Sequence, residues 1–256
     1  HPFDDVAFES CQTNTLLNLK RLNNYYCNCK PLNMKSVVVT GANRGIGLEL
    51  VKQLLDSGFR VYATHRSEMG GLANLNNQNL SIHQMDVRDQ EAIEKLSNSI
   101  DGKIDLLINN AGVADGRWQS ISEIDMQHAL DVIEINSIAP VLVTQKLLNQ
   151  MSDDSTIVMM SSLMGSISDC MSGRSYAYRA SKTALNMFSI AMKNELESQG
   201  ISILIMHPGW VETDMGGPHA PLSVEESVSG IMQRIEEQTL EMTGRYVQFD
   251  GTPIEW

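Results

Sequence analysis

The chain has 256 residues, of which 42% are hydrophobic, enough to fill the core of one large α/β domain or of two small ones. Its formal net charge of −12 argues against nucleic acid and against an anionic membrane surface as partners. The sequence also lacks the run of roughly 18 consecutive apolar residues that a membrane-spanning helix needs. We therefore expect a protein that binds neither nucleic acid nor membranes.

Residues 1–33 differ from the rest of the chain. They are polar and rich in Asn, and they show no clear periodicity. They lack the apolar region of a signal peptide, and their early acidic residues argue against a transit peptide. We expect this segment to be a tag remnant or a poorly ordered extension, with Met34 as the natural start.

The four cysteines are unevenly placed, because Cys11, Cys27 and Cys29 precede Met34 and Cys170 stands alone after it. Cys27 and Cys29 could bind a metal, but no second Cys/His pair lies near them, so we predict no metal site. The main body has no disulfide framework. A reducing, cytoplasmic compartment is therefore expected.

From Met34 onward, predicted strands and helices alternate. Short apolar, β-branched runs predict seven strands, at 36–40, 60–64, 80–87, 104–110, 155–162, 201–209 and 245–249. Helical patterns follow Gly45 and Asp89, and further helices are predicted over 123–150, 176–199 and 223–238. Such an alternation is typical of a parallel sheet covered on both faces. We predict an α/β fold with a doubly wound, Rossmann-like parallel sheet, as a single domain over 34–256.

A glycine-rich turn, TGANRGIG, directly follows the first predicted strand and opens a helix. Gly41 supplies the backbone freedom for the turn, and Gly45 and Gly47 leave room for a pyrophosphate beside the unpaired N–H groups of the helix N-terminus. Tight packing of a strand against a helix can also require glycine. The position after the first strand favours dinucleotide binding.

A tyrosine and a lysine, Tyr178 and Lys182, lie four residues apart on the helix predicted over 176–199, and therefore share a face. A free phenol has a pKa of about 10, and a nearby ammonium lowers that value. The pair can thus give a proton to a carbonyl oxygen and take it back in reverse. The alternative is an ordinary Tyr and Lys on an amphipathic helix. The presence of the glycine turn earlier in the chain disfavours this alternative.

Four motifs occur in a family's characteristic order: TGANRGIG (40–47), NNAG (109–112), Tyr178-x-x-x-Lys182 and HPGWVET (207–213). Over about 34–251 the chain resembles the short-chain dehydrogenase/reductase family, and within it the C-factor and sniffer-type carbonyl reductases. The resemblance implies a catalytic group of Asn136, Ser162, Tyr178 and Lys182, with Ser161 as the alternative to Ser162. It also implies that the cofactor contacts are Gly41, Asn43, Arg44, Gly45, Ile46, Gly47, Arg66, Asp86, Val87, Asn110, Ala111, Gly112, Tyr178, Lys182, Pro208, Gly209, Val211 and Thr213.

The end of the second predicted strand indicates which nicotinamide cofactor is bound. Enzymes that use NAD place an acid there to hold the ribose 2′-OH, whereas this chain has His65 followed by Arg66. Arg44 also lies in the glycine turn, and two guanidinium groups can bind a 2′-phosphate. The alternative is a pair of solvated surface arginines. We predict NADP(H) as the cofactor.

Asn136 lies inside the helix predicted over 123–150, four residues before Pro140. Because proline has no N–H, the carbonyl of Asn136 loses its helical partner, and the helix should kink there. A freed carbonyl can hold a water. In the family that the chain resembles, the matching Asn binds a water that connects the lysine with solvent. A plain proline kink is the alternative.

The segment DMGGPHAPLS, after Thr213, is short and rich in Gly and Pro, which indicates an open substrate cleft. Methionines and a tryptophan could form an adaptable apolar wall there, namely Met164, Met171, Trp210 and Met215. We expect an oxidoreductase that reduces small aldehydes or ketones with an apolar body. A dinucleotide-binding sensor, a hydroxysteroid dehydrogenase and an acyl-carrier reductase are the alternatives. By resemblance, a homodimer or homotetramer forms through the long helix and the helix of Tyr178.

Overall fold

The computed structural model describes residues 34–116 and 120–256, and Lys35–Trp256 form one compact unit. The predictions for residues 1–33, including those for Cys27 and Cys29, lie outside the described residues. The strands are β1 (Ser36–Val39), β2 (Arg60–His65), β3 (Leu80–Gln84), β4 (Ile104–Asn109), β5 (Met151–Met160), β6 (Ser202–His207) and β7 (Arg245–Gln248). The α-helices are α1 (Gly45–Asp56), α2 (Gln90–Ser99), α3 (Met126–Ile133), α4 (Ala139–Leu147), α5 (Tyr176–Leu196) and α6 (Val224–Glu236).

The seven strands form one sheet in the order β3-β2-β1-β4-β5-β6-β7, and each neighbouring pair is parallel. The strand order reverses between β1 and β4. In open parallel sheets a crevice forms at such a reversal, outside the carboxyl ends of the strands. The prediction of a doubly wound, Rossmann-like sheet is therefore confirmed, and the topology fixes where a ligand cleft can lie.

The hydrophobic residues of β1 show how the sheet is covered. Val38 belongs to one buried cluster, together with residues of α4 and α5, whereas Val37 and Val39 belong to a second cluster that includes residues of α1 and α6. Because successive side chains of a strand point to opposite faces, these clusters are the two cores on either side of the sheet. No helix of the described residues is long and apolar enough to cross a membrane.

The long helix predicted over 123–150 is divided by a π-helical segment, Glu134–Ile138, between α3 and α4. The N–H of Ala139 bonds to the carbonyl of Glu134, five residues earlier rather than four. Pro140 follows at the start of α4 and has no N–H to offer to Asn136. The interruption expected at Asn136 is thus present, and it takes the form of a widened helical turn.

Several predicted boundaries differ from the observed ones for identifiable reasons. β3 ends at Gln84, because the chain then turns and the N–H of Asp89 bonds to the carbonyl of Asp86. β6 ends at His207, because Pro208 has no N–H and Gly209 takes a φ of +88°. The helix expected from Asp89 begins at the next residue, and the Asp89 side chain caps it by accepting from two main-chain N–H groups.

Candidate active site

A cleft of about 750 Å³ opens beside the carboxyl ends of β1, β2 and β4, at the point where the strand order reverses. Most residues that the sequence predicted for cofactor binding line this cleft: Gly41, Asn43, Arg44, Gly45, Ile46, Gly47, Arg66, Asp86, Val87, Asn110, Ala111, Gly112, Tyr178, Lys182, Pro208 and Thr213. Sequence analysis missed Met85, Ile135, Met160, Glu212 and Asp214, which line it as well. Glu212 lies within the HPGWVET motif, whereas the other four carry no motif that identifies them.

The glycine turn is shaped by close approaches that exclude side chains. A Cβ on Gly47 would lie 2.2 Å from the main-chain oxygen of Gly41, and one on Gly41, whose φ is +64°, would lie 2.8 Å from the Cα of Ala111. Helix α1 then begins without a side-chain cap at Arg44 and without an acid in its first turn. Its first N–H groups and its positive dipole end therefore suit an anionic group, as the phosphates of a dinucleotide require.

Thr40 and Asn110 lock this turn to the end of β4. The Thr40 hydroxyl accepts from the main-chain N–H groups of Asn110 and Ala111, both at 3.0 Å. The Asn110 amide donates to the carbonyls of Thr40 at 2.9 Å and Gly41 at 3.0 Å. The NNAG motif thus holds the glycine turn in place through side-chain bonds, and Thr40 is a supporting residue that sequence analysis did not name.

Charged side chains surround the end of the cleft beside β2. Both predicted arginines line it, but Arg44 already donates to the carboxylate of Asp214 at 2.6 Å in an exposed ion pair. Glu68, an acid that the sequence analysis did not weigh, lies on the same wall as Arg66. His65, the last residue of β2, is buried, so the position where NAD enzymes carry an acid holds an imidazole ring.

Asp86 follows β3 on the same side of the cleft. Arg88 binds its carboxylate through two side-chain nitrogens, at 2.8 and 3.1 Å. The hydrogen bond from Arg88 lowers the pKa of Asp86, so this carboxylate stays charged and fixed in place.

Lys182 is buried, and its Nζ donates to the main-chain carbonyl of Met160 at the end of β5, across 2.8 Å. The Nζ also lies 5.7 Å from the centre of the Tyr178 ring. Burial lowers the pKa of Lys182 to about 8, which leaves the ammonium mostly protonated at neutral pH. The predicted pair is therefore brought together, with the lysine above the ring and anchored to the backbone.

The pKa of Tyr178 is raised, so the prediction that the ammonium lowers it is wrong for this structure. Burial raises this pKa most, the hydrogen bond with Ser162 works in the opposite direction, and the charge of Asp115 and the neighbouring Tyr246 raise it further. The ammonium of Lys182 lies over the ring and is not among these causes. Burial therefore decides the direction of the shift, and the phenol stays protonated at neutral pH.

The two serines that follow β5 point to different partners. The Ser162 side chain lies close enough to Tyr178 to lower the pKa of its phenol, and its Oγ accepts from the main-chain N–H of Met164 at 3.2 Å. The Ser161 hydroxyl instead donates to the side-chain oxygen of Asn186 at 2.6 Å. Ser161 lines the cleft and Ser162 does not, but Ser162 is the serine that lowers the pKa of the Tyr178 phenol.

Asn136 is completely buried, and its amide joins three elements. Its oxygen accepts from the main-chain N–H of Val113 at 2.8 Å, while its nitrogen donates to the carbonyl of Val113 at 2.9 Å and to the Ser181 hydroxyl at 3.0 Å. A Cβ on Gly112 would lie 3.2 Å from this oxygen and 3.7 Å from the Nζ of Lys182. Asn136 thus lies beside the lysine, and Val113 and Ser181 hold it there.

The segment after β6 forms one wall of the cleft. Thr213 lines the cleft, and its Oγ1 accepts from the N–H of Gly216 at 3.0 Å. Gly209 and Val211 do not line it: a Cβ on Gly209 would lie 2.7 Å from Leu222, and Val211 is buried in a bridge to that same residue. These two residues support the wall from behind.

The four residues expected to form an apolar wall are not gathered at the cleft. Met215 lines it, whereas Met164, Met171 and Trp210 are not among its lining residues. The indole N–H of Trp210 donates to the carbonyl of Gly216, and both Trp210 and Met171 are exposed. Across residues 34–116 and 120–256, no group of His, Cys, Asp or Glu side chains is arranged to hold a metal ion.

The parallel sheet with a glycine turn at its reversal, followed by a Tyr–Lys pair on α5, defines the class of Rossmann-fold oxidoreductases. The chain belongs to the short-chain dehydrogenase/reductase family, since the family model for short chain dehydrogenase matches residues 35–221. The family resemblance found in the sequence is thereby confirmed.

Individual relatives and solved structures show which members of the family the chain is similar to. The C-signal protein of Myxococcus xanthus is 37% identical over 162 residues, which cover 62% of this chain and 97% of that protein. A 1-hydroxy-2-glutathionyl-2-methyl-3-butene dehydrogenase of Rhodococcus is 30% identical over 232 residues, 87% of this chain and all of that protein. The carbonyl reductase Sniffer of D. melanogaster superposes with a TM-score of 0.82 at 34% identity, over 88% of this chain and 100% of the other. An NADPH-bound carbonyl reductase from chicken fatty liver gives 0.81 at 33%, with the same coverage.

Proposed function

We propose that the protein is an NADP(H)-dependent carbonyl reductase that converts small aldehydes or ketones with an apolar body into alcohols. The observation that carries this proposal is the placement of Tyr178 and Lys182 together in the cleft that the glycine turn lines, with Ser162 acting on the Tyr178 phenol. The Sniffer and chicken proteins, which are similar over most of this chain, are described as carbonyl reductases.

In the proposed reaction, bound NADPH supplies the hydride that reaches the carbonyl carbon. The Ser162 hydroxyl donates to the carbonyl oxygen and polarises it, and the Tyr178 hydroxyl gives that oxygen its proton. The raised pKa of Tyr178 keeps the phenol protonated at neutral pH, which suits a donor in the reductive direction. In the reverse direction the phenolate takes the proton back.

Lys182 and Asn136 serve the proton supply in this proposal. The ammonium of Lys182 lies over the Tyr178 ring and stabilises the phenolate that remains after proton transfer. The carbonyl of Asn136, in the π-helical segment, is denied its usual partner by Pro140, and we infer that it holds a water that connects Lys182 with solvent. The complete burial of the Asn136 side chain supports a fixed position for that carbonyl.

The preference for NADP(H) rests on Arg44 and Arg66, which line the cleft near the end of β2, and on the absence of an acid at His65. A guanidinium is suited to a 2′-phosphate, whereas an acid in that place would repel it. A solved short-chain dehydrogenase/reductase from Burkholderia multivorans, 30% identical over 87% of this chain, is described as having bound NADP.

The test is NADPH oxidation against a panel of aldehydes and ketones, with Tyr178→Phe beside the wild type. Tyr176→Phe is the matched control, because that phenol is exposed two residues earlier on the same helix. We expect turnover by the wild type and Tyr176→Phe, and a loss of at least about 100-fold for Tyr178→Phe, the lower end of typical general acid–base contributions.

The same experiment distinguishes a carbonyl reductase from a dinucleotide-binding sensor. If the wild type and Tyr178→Phe bind NADPH tightly and are equally inert, the protein is a dinucleotide-binding sensor. If the rate with NADH exceeds the rate with NADPH, and Arg66→Ala changes neither rate, the assignment of NADP(H) is wrong.

We also propose a homodimer or homotetramer formed through the long helix and α5. Exposed apolar side chains on both elements support this surface: Met126, Leu130, Ile138, Met187 and Phe188. Light scattering of the purified protein measures the oligomeric state, and a monomer at micromolar concentration would contradict the proposal. We further propose a reducing, cytoplasmic compartment, since Cys170, the one cysteine among the described residues, is an exposed free thiol.

A further inference from the structure

Tyr246 lies on β7, outside the predicted catalytic group, yet its side chain contacts that group. The residue is buried, and its hydroxyl donates to the main-chain oxygen of Ser162, a residue 84 positions earlier in the chain. Burial raises the pKa of Tyr246, so the phenol keeps the proton that it donates. The last strand of the sheet therefore contributes a hydrogen bond to the backbone of the serine that acts beside Tyr178.

Ser162 occupies a place where the sheet no longer fixes the backbone. β5 ends at Met160, and the N–H of Ser161 makes the next bond, to the carbonyl of Met206. Ser162 itself is extended and opens the short turn Leu163–Gly165, whose last N–H donates to the Ser162 carbonyl at 2.8 Å. Tyr246 supplies the second bond to this carbonyl, and it is the bond that joins Ser162 to another strand.

The ring of Tyr246 also reaches the loop that leads to Tyr178. It stacks on the indole of Trp256, with 5.2 Å between the ring centres and 29° between the planes. The main-chain oxygen of Trp256 accepts from the N–H of Ser168 at 2.9 Å and from its hydroxyl at 2.6 Å. Ser168 lies midway along the segment between Ser162 and α5, so one aromatic pair holds the start and the middle of that segment.

We propose that Tyr246 is a positioning residue for the carbonyl reduction proposed above: its hydroxyl fixes the carbonyl of Ser162, and thereby the direction in which the Ser162 hydroxyl faces Tyr178 and the substrate oxygen. This inference rests on the proposed function. Without the phenol hydroxyl, the Ser162 carbonyl loses one of its two partners and the serine is free to rotate away from Tyr178. Small displacements of a catalytic group cost large factors in rate.

The test compares Tyr246→Phe with Tyr62→Phe. Tyr62 is an equally buried phenol on β2, and its hydroxyl accepts from the N–H of Asp101 instead of contacting Ser162. We expect Tyr246→Phe to lower kcat by roughly 10- to 100-fold, with the KM for NADPH unchanged, because the displaced group acts on the substrate. Tyr62→Phe should keep the kcat of the wild type even where it lowers thermal stability.

A second readout does not depend on turnover. In protein labelled with ¹³C at the serine carbonyls, and with the Ser162 resonance assigned through Ser162→Ala, Tyr246→Phe should shift that resonance and Tyr62→Phe should leave it in place. If the Ser162 resonance does not shift in Tyr246→Phe, the Tyr246 hydroxyl does not bind the Ser162 carbonyl. A shifted resonance with the kcat of the wild type, or an equal loss of kcat in both phenylalanine variants, overturns the positioning role. A wild type that is inert with every carbonyl overturns the proposed function, and the inference with it.

Discussion

The main-chain nitrogen of Tyr178 donates to the carboxylate of Asp115 across 3.1 Å. Asp115 is buried in the loop after β4, and Tyr178 lies in the first turn of α5. The residue that precedes this helix, Ser175, makes no side-chain cap, so the distant acid takes that place. The same carboxylate raises the pKa of the Tyr178 phenol. One side chain thus contributes both to where the helix begins and to how readily its tyrosine ionises.

Replacing Asp115 separates these two effects. Asp115→Asn keeps an acceptor for the helix and removes the negative charge, so the pKa of Tyr178 should fall. Because alcohol oxidation needs the phenolate, its rise with pH should occur at lower pH in the variant. Asp115→Ala also removes the cap, and should cost about 1–2 kcal/mol of the free energy of unfolding. The pH profiles of oxidation and urea unfolding measure the two effects. Identical profiles for the wild type and Asp115→Asn would refute the electrostatic role.

The ion pair between Arg44 and Asp214 joins two walls of the cleft at 2.6 Å, with both side chains exposed. An exposed pair contributes only about 0–1 kcal/mol, so Asp214→Asn should leave stability nearly unchanged. The variant should bind NADPH several-fold more tightly, because it frees Arg44 and removes an anion beside the phosphate path. Titration of NADPH fluorescence measures the affinity. Asp56→Asn, an exposed acid at the end of α1, is the matched control, and an equal gain there would show a general charge effect.

Burial lowers the pKa of His207, at the end of β6, from 6.5 to about 4. Between these two values the unfolded chain binds a proton that the folded chain does not. The free energy of unfolding should therefore fall as the pH drops from 6.5 towards 4, and less so in His207→Asn. Urea unfolding at pH 7, 6, 5 and 4.5 measures the difference. His219→Asn, which replaces an exposed histidine, should keep the slope of the wild type; parallel slopes for His207→Asn would contradict the prediction.

Asn136 makes three side-chain hydrogen bonds while fully buried. Asn136→Ala leaves the N–H and the carbonyl of Val113 without these partners, and a buried unsatisfied group costs about 1–3 kcal/mol. The variant should be destabilised by at least that amount. Its kcat per folded molecule should also fall, because Lys182 loses a neighbour that fixes its surroundings. Circular dichroism during urea unfolding and single-turnover rates give the two quantities. Full activity per folded molecule would show that the Asn136 side chain is not needed to fix the surroundings of Lys182.

The fold was readable from the sequence because its strands are short, apolar and separated by clear helical patterns. The apolar run from Val37 to Val39 predicts a strand that is covered on both faces. The structure has a hydrophobic core on each side of the sheet, as this pattern requires. The exact ends of the strands and helices could not be predicted, because they depend on single hydrogen bonds, such as the one from the N–H of Asp89 to the carbonyl of Asp86. Residues of known motifs could be named by resemblance, and most of those predicted for the cofactor line one cleft.

Other parts of the candidate site could not be predicted. The bond from Tyr246 to the Ser162 carbonyl joins a side chain to a backbone atom 84 residues away, and no spacing or residue type signals such a contact. Asp115 belongs to no motif. The direction of the shift in the pKa of Tyr178 was missed, because burial decides it and burial follows from the packed fold rather than from the neighbouring Lys182.

The place of β7 in the chain has a consequence for biosynthesis. A ribosome that has translated as far as Gln238 has already made Asn136, Ser162, Tyr178 and Lys182, but not Tyr246 or Trp256. At that stage the carbonyl of Ser162 still lacks its phenol partner, because Tyr246 has not been synthesised. If Tyr246 positions Ser162 as we propose, the arrangement of the serine is completed only after β7 has left the exit tunnel and joined the sheet.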